Sequence, residues 1–284
     1  MKICMIGSGY VGLVSGTCFA DIGHQVYCVD QDVSKINKLN SGISPIYEPG
    51  LDELIQKNYK AKRLTFTTDL KKAITASDII FICVGTPNIK GSLKVDLSFV
   101  FKCTKEILSI TKKKKIIVTK STVPVGTGDH IEKILKKKRK LFSVISNPEF
   151  LREGEAIRDF RYPDRIVIGS NNKNEFKIMK KLYSPLINKG AKFFTTSRRG
   201  AELIKYAANA FLATKITFIN EIANLCEKSG INVEDIALGI GSDTRIGGRF
   251  LRPGPAYGGS CFPKDTKGLV FAAEKFQTNL SIVK

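Results

Sequence analysis

The sequence predicts an α/β protein: a doubly wound parallel sheet, then one long helix and a further helical segment. Three observations predict it. Short apolar runs alternate with helical periods through the first half of the chain. A glycine-rich turn joins the first run to the first helical period. From 199 to 229 the chain has no proline and is dominated by Ala, Leu, Ile, Glu and Lys. Strand–helix alternation places parallel strands side by side with helices on both faces.

Strands are expected at residues 2–6, 25–29, 78–84, 115–120 and 141–146, with two more at 165–169 and 191–195. Helices are expected at 11–22, 33–39, 51–57, 97–109, 128–138 and around 174–187. The stretch 199–229 reads as a single helix, beyond the roughly 8–20 residues usual in globular proteins. A helix of that length bridges domains or packs against a partner subunit. Residues 239–265 are dense in Gly and Pro and read as a long functional loop, followed by a last helical segment at 266–276. The expected division is 1–197 for a cofactor domain and 198–284 for the long helix, a dimerisation region and a cysteine-bearing loop.

Composition sets bounds on function. Hydrophobic residues make up 43% and charged residues 25%, a globular balance that excludes a disordered or collagen-like chain. No run approaches the roughly 18 apolar residues of a membrane helix, so no membrane partner is expected. The chain enters a strand at once with no cleavage-site pattern, so a cytoplasmic location is expected. Seven cysteines form no C-x-x-C pair and their number is odd, which suits a reducing compartment rather than a disulfide framework. With only His24 and His130, and no Cys/His cluster, no metal site is expected. The net charge is +20, with basic runs at 112–115 and 136–140. Neither run carries interleaved aromatics or a nucleic-acid motif, so a lysine-rich surface is preferred over a nucleic-acid or anionic-membrane site.

Gly7-x-Gly9-x-x-Gly12 follows the first strand and opens the first helix. Gly7 permits the tight turn, Gly9 lets backbone approach a pyrophosphate, and Gly12 lets helix and strand pack closely. Asp30 ends the second strand, where a carboxylate accepts ribose hydroxyls and repels a 2′-phosphate. Together these mark a Rossmann domain for NAD rather than NADP; the plain alternative is a tight turn and a surface acid.

Cys261 stands apart from the other six cysteines, beside Ser260, Lys264 and Asp265 in the Gly/Pro-rich loop. An activated thiol, with Lys264 favouring the thiolate, and an incidental loop cysteine both fit that setting. Asn147-Pro148-Glu149-Phe150-Leu151-Arg152-Glu153 follows a strand end, where doubly wound sheets place ligands. Glu149 and Glu153 are spaced to share a helix face, either at a site or in solvent. Ser121-Thr122-Val123-Pro124 and Val84-Gly85-Thr86-Pro87 also follow strand ends, as cofactor contacts or as turns.

With these segments, Tyr47-Glu48-Pro49-Gly50-Leu51, Tyr162-Pro163-Asp164-Arg165, Glu202–Asn209 and Gly258–Asp265, the chain resembles the UDP-glucose/GDP-mannose dehydrogenase family over its N-terminal two-thirds. The Tyr-Glu-Pro-Gly-Leu and Tyr-Pro-Asp-Arg segments are more similar to the UDP-glucose branch than to the GDP-mannose or UDP-N-acetyl-mannosamine branches. One departure is Ala256, where the family loop usually has glycine.

The resemblance implies a four-electron oxidation of UDP-glucose to UDP-glucuronate with two NAD⁺, through a thiohemiacetal and a thioester on Cys261. It implies that Lys205 and Asn209 stabilise an oxyanion, Asp265 activates or positions water, Glu153 is the acid/base and Thr122 orients water. It implies cofactor contacts from Gly7, Gly9, Val11, Gly12, Asp30, Lys35, Thr86, Thr122, Glu153 and Lys264. Substrate contacts are implied for Glu149, Phe150, Leu151, Arg152, Glu153, Lys205, Asn209, Phe250, Leu251, Arg252, Pro253, Gly254 and Gly258. Members of the family continue into a second α/β domain. A chain without it is expected to bind NAD and dimerise through the long helix without turning over substrate.

Overall fold

The computed structural model describes residues 1–284 and forms two units, residues 1–86 with 96–202 and residues 87–95 with 203–284. The first unit opens with β1 (Lys2–Ile6), α1 (Tyr10–Asp21), β2 (Gln25–Val29), α2 (Val33–Asn40), α3 (Leu51–Lys60), β3 (Leu64–Thr67), α4 (Leu70–Ala76) and β4 (Ile79–Ile82). It continues through α5 (Ser98–Ile110), β5 (Lys115–Thr119), α6 (Thr127–Leu135), β6 (Phe142–Ser146), α7 (Ala156–Arg161), β7 (Arg165–Gly169), α8 (Lys173–Leu182), α9 (Ser184–Ile187) and β8 (Lys192–Thr196). The long helix α10 (Arg198–Ser229) starts in this unit and runs on into the second, which adds α11 (Val233–Gly241) and α12 (Phe262–Lys275).

The strands form one sheet in the order β3-β2-β1-β4-β5-β6-β7-β8. Alternation along each strand feeds both faces. Ile3, Met5 and Phe81 join Leu13, Val14 and Phe19 of α1 in one core. Cys4, Ile6, Ile80 and Ile82 join Val100 and Ile107 of α5 and Ile131 of α6 in the other. The strand order reverses direction between β1 and β4, and a doubly wound sheet binds ligands beyond its carboxyl edge at that point.

The structure corrects several expectations. The sheet is not wholly parallel: β7 meets β6 antiparallel through one pair, Ser146 with Gly169, and β8 then runs parallel to β7. Apolar runs report that strands exist, but their direction follows from the connection, which here holds only the six-residue α7. β3 and α4 are additional, and at four and seven residues neither is long enough to show a period. The 239–265 loop is shorter than expected, because α11 reaches Gly241 and α12 begins at Phe262. Pro263 reads as a loop residue by composition, yet it lies in the first turn of α12, where its missing N–H costs nothing.

The basic runs are partly structural. α6 ends at Leu135, and residues Lys136–Leu141 form a 3-10 turn rather than the end of a helix. Lys138 Nζ donates to the carbonyls of Leu108 (3.0 Å) and Thr111 (3.2 Å), closing the end of α5. Lys115 is buried, and its Nζ donates to the carbonyls of Thr75 and Ser77 at the end of α4. Each ammonium satisfies carbonyls that a helix leaves open at its C-terminus.

In the second unit, Tyr206 and Ala210 of α10 pack with Leu269 of α12. Gly268 allows the approach, since a Cβ there would stand 2.8 Å from the Tyr206 ring. No helix is long and apolar enough to cross a membrane.

Candidate active site

The turn after β1 has the geometry a dinucleotide requires. Gly7 has φ +97°, and Gly12 packs so closely that a Cβ would lie 1.9 Å from the Gly7 carbonyl oxygen. A Cβ on Gly9 would meet nothing within 4 Å, so the space above the start of α1 is open. Gly9 caps α1 without a side-chain acceptor, and the following Val11 is half-buried in the first turn. Open space over first-turn amides fits a diphosphate. Asp30, just past β2, accepts from the Ser8 amide (2.9 Å), the Asp32 amide (3.1 Å) and Lys35 Nζ (2.9 Å). Burial alone would raise its pKa. The Lys35 ammonium and the two amides outweigh that and hold it below the ordinary carboxylate range. The carboxyl therefore stays ionised where a ribose would lie.

The loops after β4 and β5 are tied together. Thr86 Oγ1 donates to the Thr122 carbonyl (2.8 Å), and Ser121 Oγ donates to the Val84 carbonyl (2.7 Å). Asn147, at the end of β6, donates to the Val167 carbonyl (3.0 Å) and accepts from the Tyr183 hydroxyl (2.6 Å).

Residues 147–155 are not helical, so Glu149 and Glu153 do not share a helix face as their spacing suggested. Glu149 is buried and accepts from the Leu151 amide (2.6 Å), turning the loop, while Glu153 is exposed. Phe150 stacks under Arg165 at 3.9 Å, and Arg152 pairs with Asp159 (2.6 Å) and Glu155 (2.5 Å). Glu48 is buried beneath this loop. It accepts from the Tyr10 hydroxyl and from the amides of Gly154 (2.9 Å) and Ile157 (3.2 Å).

In the second unit the helix positions a polar cluster. Lys205 and Asn209 lie one turn apart on α10, both buried. Asn209 Nδ2 donates to Asp265 Oδ2 (2.6 Å), and Lys264 Nζ pairs with Asp265 Oδ1 (2.5 Å). The Lys264 cation expected beside the thiol is thus engaged by Asp265. Cys261 is the N-terminal cap of α12 and lies 3.6 Å, sulfur to oxygen, from Ser260 Oγ. It is the one cysteine of seven that is not buried.

The loop before Cys261 is anchored to α10. Lys215 Nζ donates to the carbonyls of Ile246 and Gly247 (both 3.0 Å), and the Gly254 amide donates to Asn220 Oδ1 (2.9 Å). Leu251 is buried, while Arg252, Gly254 and Gly258 are exposed and Pro253 is half-buried. Phe250 adopts φ +66°, a strained conformation for an aromatic residue.

Sequence reading missed Tyr10, Glu48, Glu202, Lys215 and Asn220. Glu202 is buried and accepts from the amides of Gly126 (2.7 Å) and Gly128 (2.8 Å) and from Ser146 Oγ (3.2 Å). Glu48 and Glu202 lie inside recognisable motifs, but Lys215 and Asn220 carry no sequence signal.

Comparisons with known proteins agree with this geometry. Residues 1–187 match the NAD binding domain of the UDP-glucose/GDP-mannose dehydrogenase family, and residues 199–284 match its central domain. The chain is 56% identical to the UDP-glucose 6-dehydrogenase of Rhizobium meliloti, covering 100% of this chain and 66% of that protein. It is 53% identical to the UDP-glucose 6-dehydrogenase TuaD of Bacillus subtilis, covering 96% and 59%. Among solved structures, a UDP-glucose dehydrogenase of Pyrobaculum islandicum superposes with a TM-score of 0.94 at 36% identity, covering 99% of this chain and 66% of that one. A GDP-mannose dehydrogenase of Pseudomonas aeruginosa gives 0.82 at 35% identity, covering 100% and 66%. The chain therefore spans just under two-thirds of the length of these relatives. With an NAD-shaped turn in its first unit and both family domains matched in order, the chain belongs to the UDP-glucose/GDP-mannose dehydrogenase family.

Proposed function

We propose that this chain carries the cofactor domain and the nucleophile of an NAD-dependent UDP-glucose 6-dehydrogenase. One observation carries the reading. Of seven free thiols only Cys261 is not buried, and it starts the helix whose Asp265 holds Asn209 and Lys264. Residues 1–197 serve the cofactor, and residues 198–284 serve pairing and the thiol chemistry.

Bound NAD⁺ supplies the hydride acceptor, used twice per turnover. The first oxidation converts the C6 alcohol to an aldehyde, whose remaining hydrogen leaves as hydride only after a nucleophile adds. The Cys261 thiolate forms a C–S bond to C6, and the carbonyl electrons become an alkoxide. Lys205 and Asn209 stabilise that charge, and their burial keeps both donors undiluted by water. After the second oxidation the product on Cys261 is a thioester. Water, held by Thr122 and deprotonated by Glu153, opens it to the carboxylate and frees the thiolate. Asp265, which holds Asn209 and Lys264, helps to activate or position that water.

The nucleotide sugar is assigned to Glu149–Glu153, Lys205, Asn209, the 250–254 segment and Gly258. The cofactor is assigned to Gly7, Gly9, Val11, Gly12, Asp30, Lys35, Thr86, Thr122, Glu153 and Lys264. A homodimer through α10 is supported by Phe211, Phe218 and Leu225, exposed at seven-residue intervals along one helix. A cytoplasmic location suits seven unpaired thiols.

The test takes as parent this chain extended through the second α/β domain of its relatives, incubates it with NAD⁺ and UDP-glucose, and follows NADH and the mass of the Cys261 peptide; the unextended chain should bind NAD⁺ without turnover. Glu153→Gln should accumulate a uronyl adduct on Cys261 that the parent clears. NADH formation at an undiminished rate in Cys261→Ala, or its absence from the parent, would sink the proposal for these residues.

A further inference from the structure

Tyr47-Glu48-Pro49-Gly50-Leu51 is a recognisable segment to which the proposed chemistry assigns no task. Its acid has an unusual setting. Glu48 is 6% exposed and takes donors from two other segments of the first unit. One is the hydroxyl of Tyr10, the first residue of α1 and the neighbour of Gly9. The others are the amides of Gly154 and Ile157. The Gly154 amide also donates to the Tyr10 hydroxyl (3.0 Å), which closes a triangle of three groups. Burial first, and then its bond to Glu48, push the Tyr10 phenol well above its usual pKa, so it remains a donor at any physiological pH.

The loop needs such a holder. Residues 147–155 form no helix or strand, so no ladder fixes their path. Gly154 sits at φ +87°, reversing the chain directly after Glu153. On the other side, the Arg152 amide is held by Asp159 (2.9 Å). Glu153 thus hangs between two fixed amides, and the second of these answers to Glu48. Glu48 is itself steadied, because its carbonyl accepts from the Leu51 amide (3.1 Å) at the start of α3.

We infer that Glu48, acting with the Tyr10 hydroxyl, is a positioning residue that locks the Glu153 segment to the glycine-rich cofactor turn. The two then move as one piece. Cofactor binding at the start of α1 is transmitted through Tyr10 and Glu48 to the backbone of Glu153, and the coupling is reciprocal. The inference rests on the role proposed for Glu153 only in its catalytic meaning. The mechanical link stands on the hydrogen bonds.

The experiment measures amide hydrogen exchange over residues 150–158, with and without NAD⁺, and NAD⁺ affinity by calorimetry. The proteins are the parent, Tyr10→Phe, Glu48→Gln and Glu48→Ala. In the parent, NAD⁺ should slow exchange in this segment. In Glu48→Ala, exchange without cofactor should rise at least about tenfold, and NAD⁺ should no longer slow it. NAD⁺ affinity should fall about tenfold in Glu48→Ala and about fivefold in Tyr10→Phe. Glu48→Gln keeps one carbonyl for Tyr10 and Gly154 but places its NH2 against the Ile157 amide, so it should recover only part of the way, to within about threefold of the parent. A simple loss of packing would leave Tyr10→Phe, which keeps the ring and removes only the hydroxyl, at the parent's exchange and affinity. Should Glu48→Ala fail to fold, the Phe and Gln variants carry the same comparison. Unchanged exchange in all variants would overturn the link, and faster exchange with unchanged NAD⁺ affinity would overturn its coupling to the cofactor. If the parent fails to form the Cys261 adduct yet shows this pattern, the proposed chemistry falls and the link stands.

Discussion

The chain has two glycine-rich segments, and its glycines serve different ends in each. In the turn after β1, glycine is demanded by contact: a Cβ on Gly12 would lie 1.9 Å from a carbonyl oxygen, and one on Gly7 would lie 2.9 Å from another. In the loop before Cys261, Gly254 and Gly258 have open space around them, while the strained backbone falls on Phe250. The first segment is a packed joint between strand and helix. The second is an exposed strap, tied to α10 by Lys215 and Asn220, that delivers a thiol to the head of α12. A short motif with fixed spacing is the signature of the joint. In the strap, Gly247 and Gly259 are required by backbone angle, at φ +69° and +78°, rather than by close contact.

The sharpest way to break this comparison is to add one methyl group to each segment. Gly12→Ala should cost more than about 3 kcal/mol and abolish NAD⁺ binding, because the group it strikes is backbone and cannot yield. Gly254→Ala should change stability by no more than about 0.5 kcal/mol. Urea unfolding of both variants measures the contrast, and equal costs would show that the two segments are packed alike.

Thiol chemistry sharpens the comparison next. Burial pushes the thiols of Cys4, Cys18, Cys28, Cys83 and Cys103 upward, in Cys103 to about 11. Cys261, on the strap, is partly exposed. A brief pulse of iodoacetamide at neutral pH should label Cys261 on the order of a hundredfold faster than any of those five. Mass spectrometry of the digested protein reads the ratio, and a faster Cys103 would remove Cys261 as the nucleophile.

A carboxylate beside the sheet tests a different aspect of tight packing. Burial is the largest influence on Glu202 and outweighs its three donors, so its pKa rises to about 7. The folded chain therefore binds this proton more tightly than the unfolded chain. The associated stability is fully present below the ordinary glutamate range and is lost as pH rises through about 7. Relative to Glu202→Gln, the parent should lose stability on the order of 3 kcal/mol between about pH 4 and pH 8. Denaturant titrations across that window check it. A flat difference curve would mean that the amides of Gly126 and Gly128 offset burial and leave the Glu202 carboxyl titrating as it does in the unfolded chain.

The smallest effect lies at Phe250. Phe250→Val should cost about 1–2 kcal/mol, because a β-branched side chain tolerates positive φ poorly. Phe250→Gly should be nearly neutral, since relief of strain offsets the lost contact with Phe262. Thermal midpoints of the pair report the difference.

Much of this protein was written in its order of residues. Short apolar runs placed β1, β2 and β7 to the residue, because a strand buried on both faces needs a near-continuous apolar run. The glycine spacing and Asp30 marked the cofactor turn, because sterics and charge act there over a few neighbouring residues. The lack of proline in 199–229 marked α10, which a helix breaker would have interrupted. Tertiary structure alone decided the reversal of β7, since direction belongs to the connection and not to the strand. It alone turned Lys115 and Lys138 from surface charge into helix caps, and brought Glu48 to Tyr10 and Gly154 across 38 and 106 residues of chain. Apart from the Tyr10–Glu48 pair, such bonds join side chains to distant backbone amides and carbonyls, which almost every residue type provides, so no pattern of residue types announces them before the chain has folded.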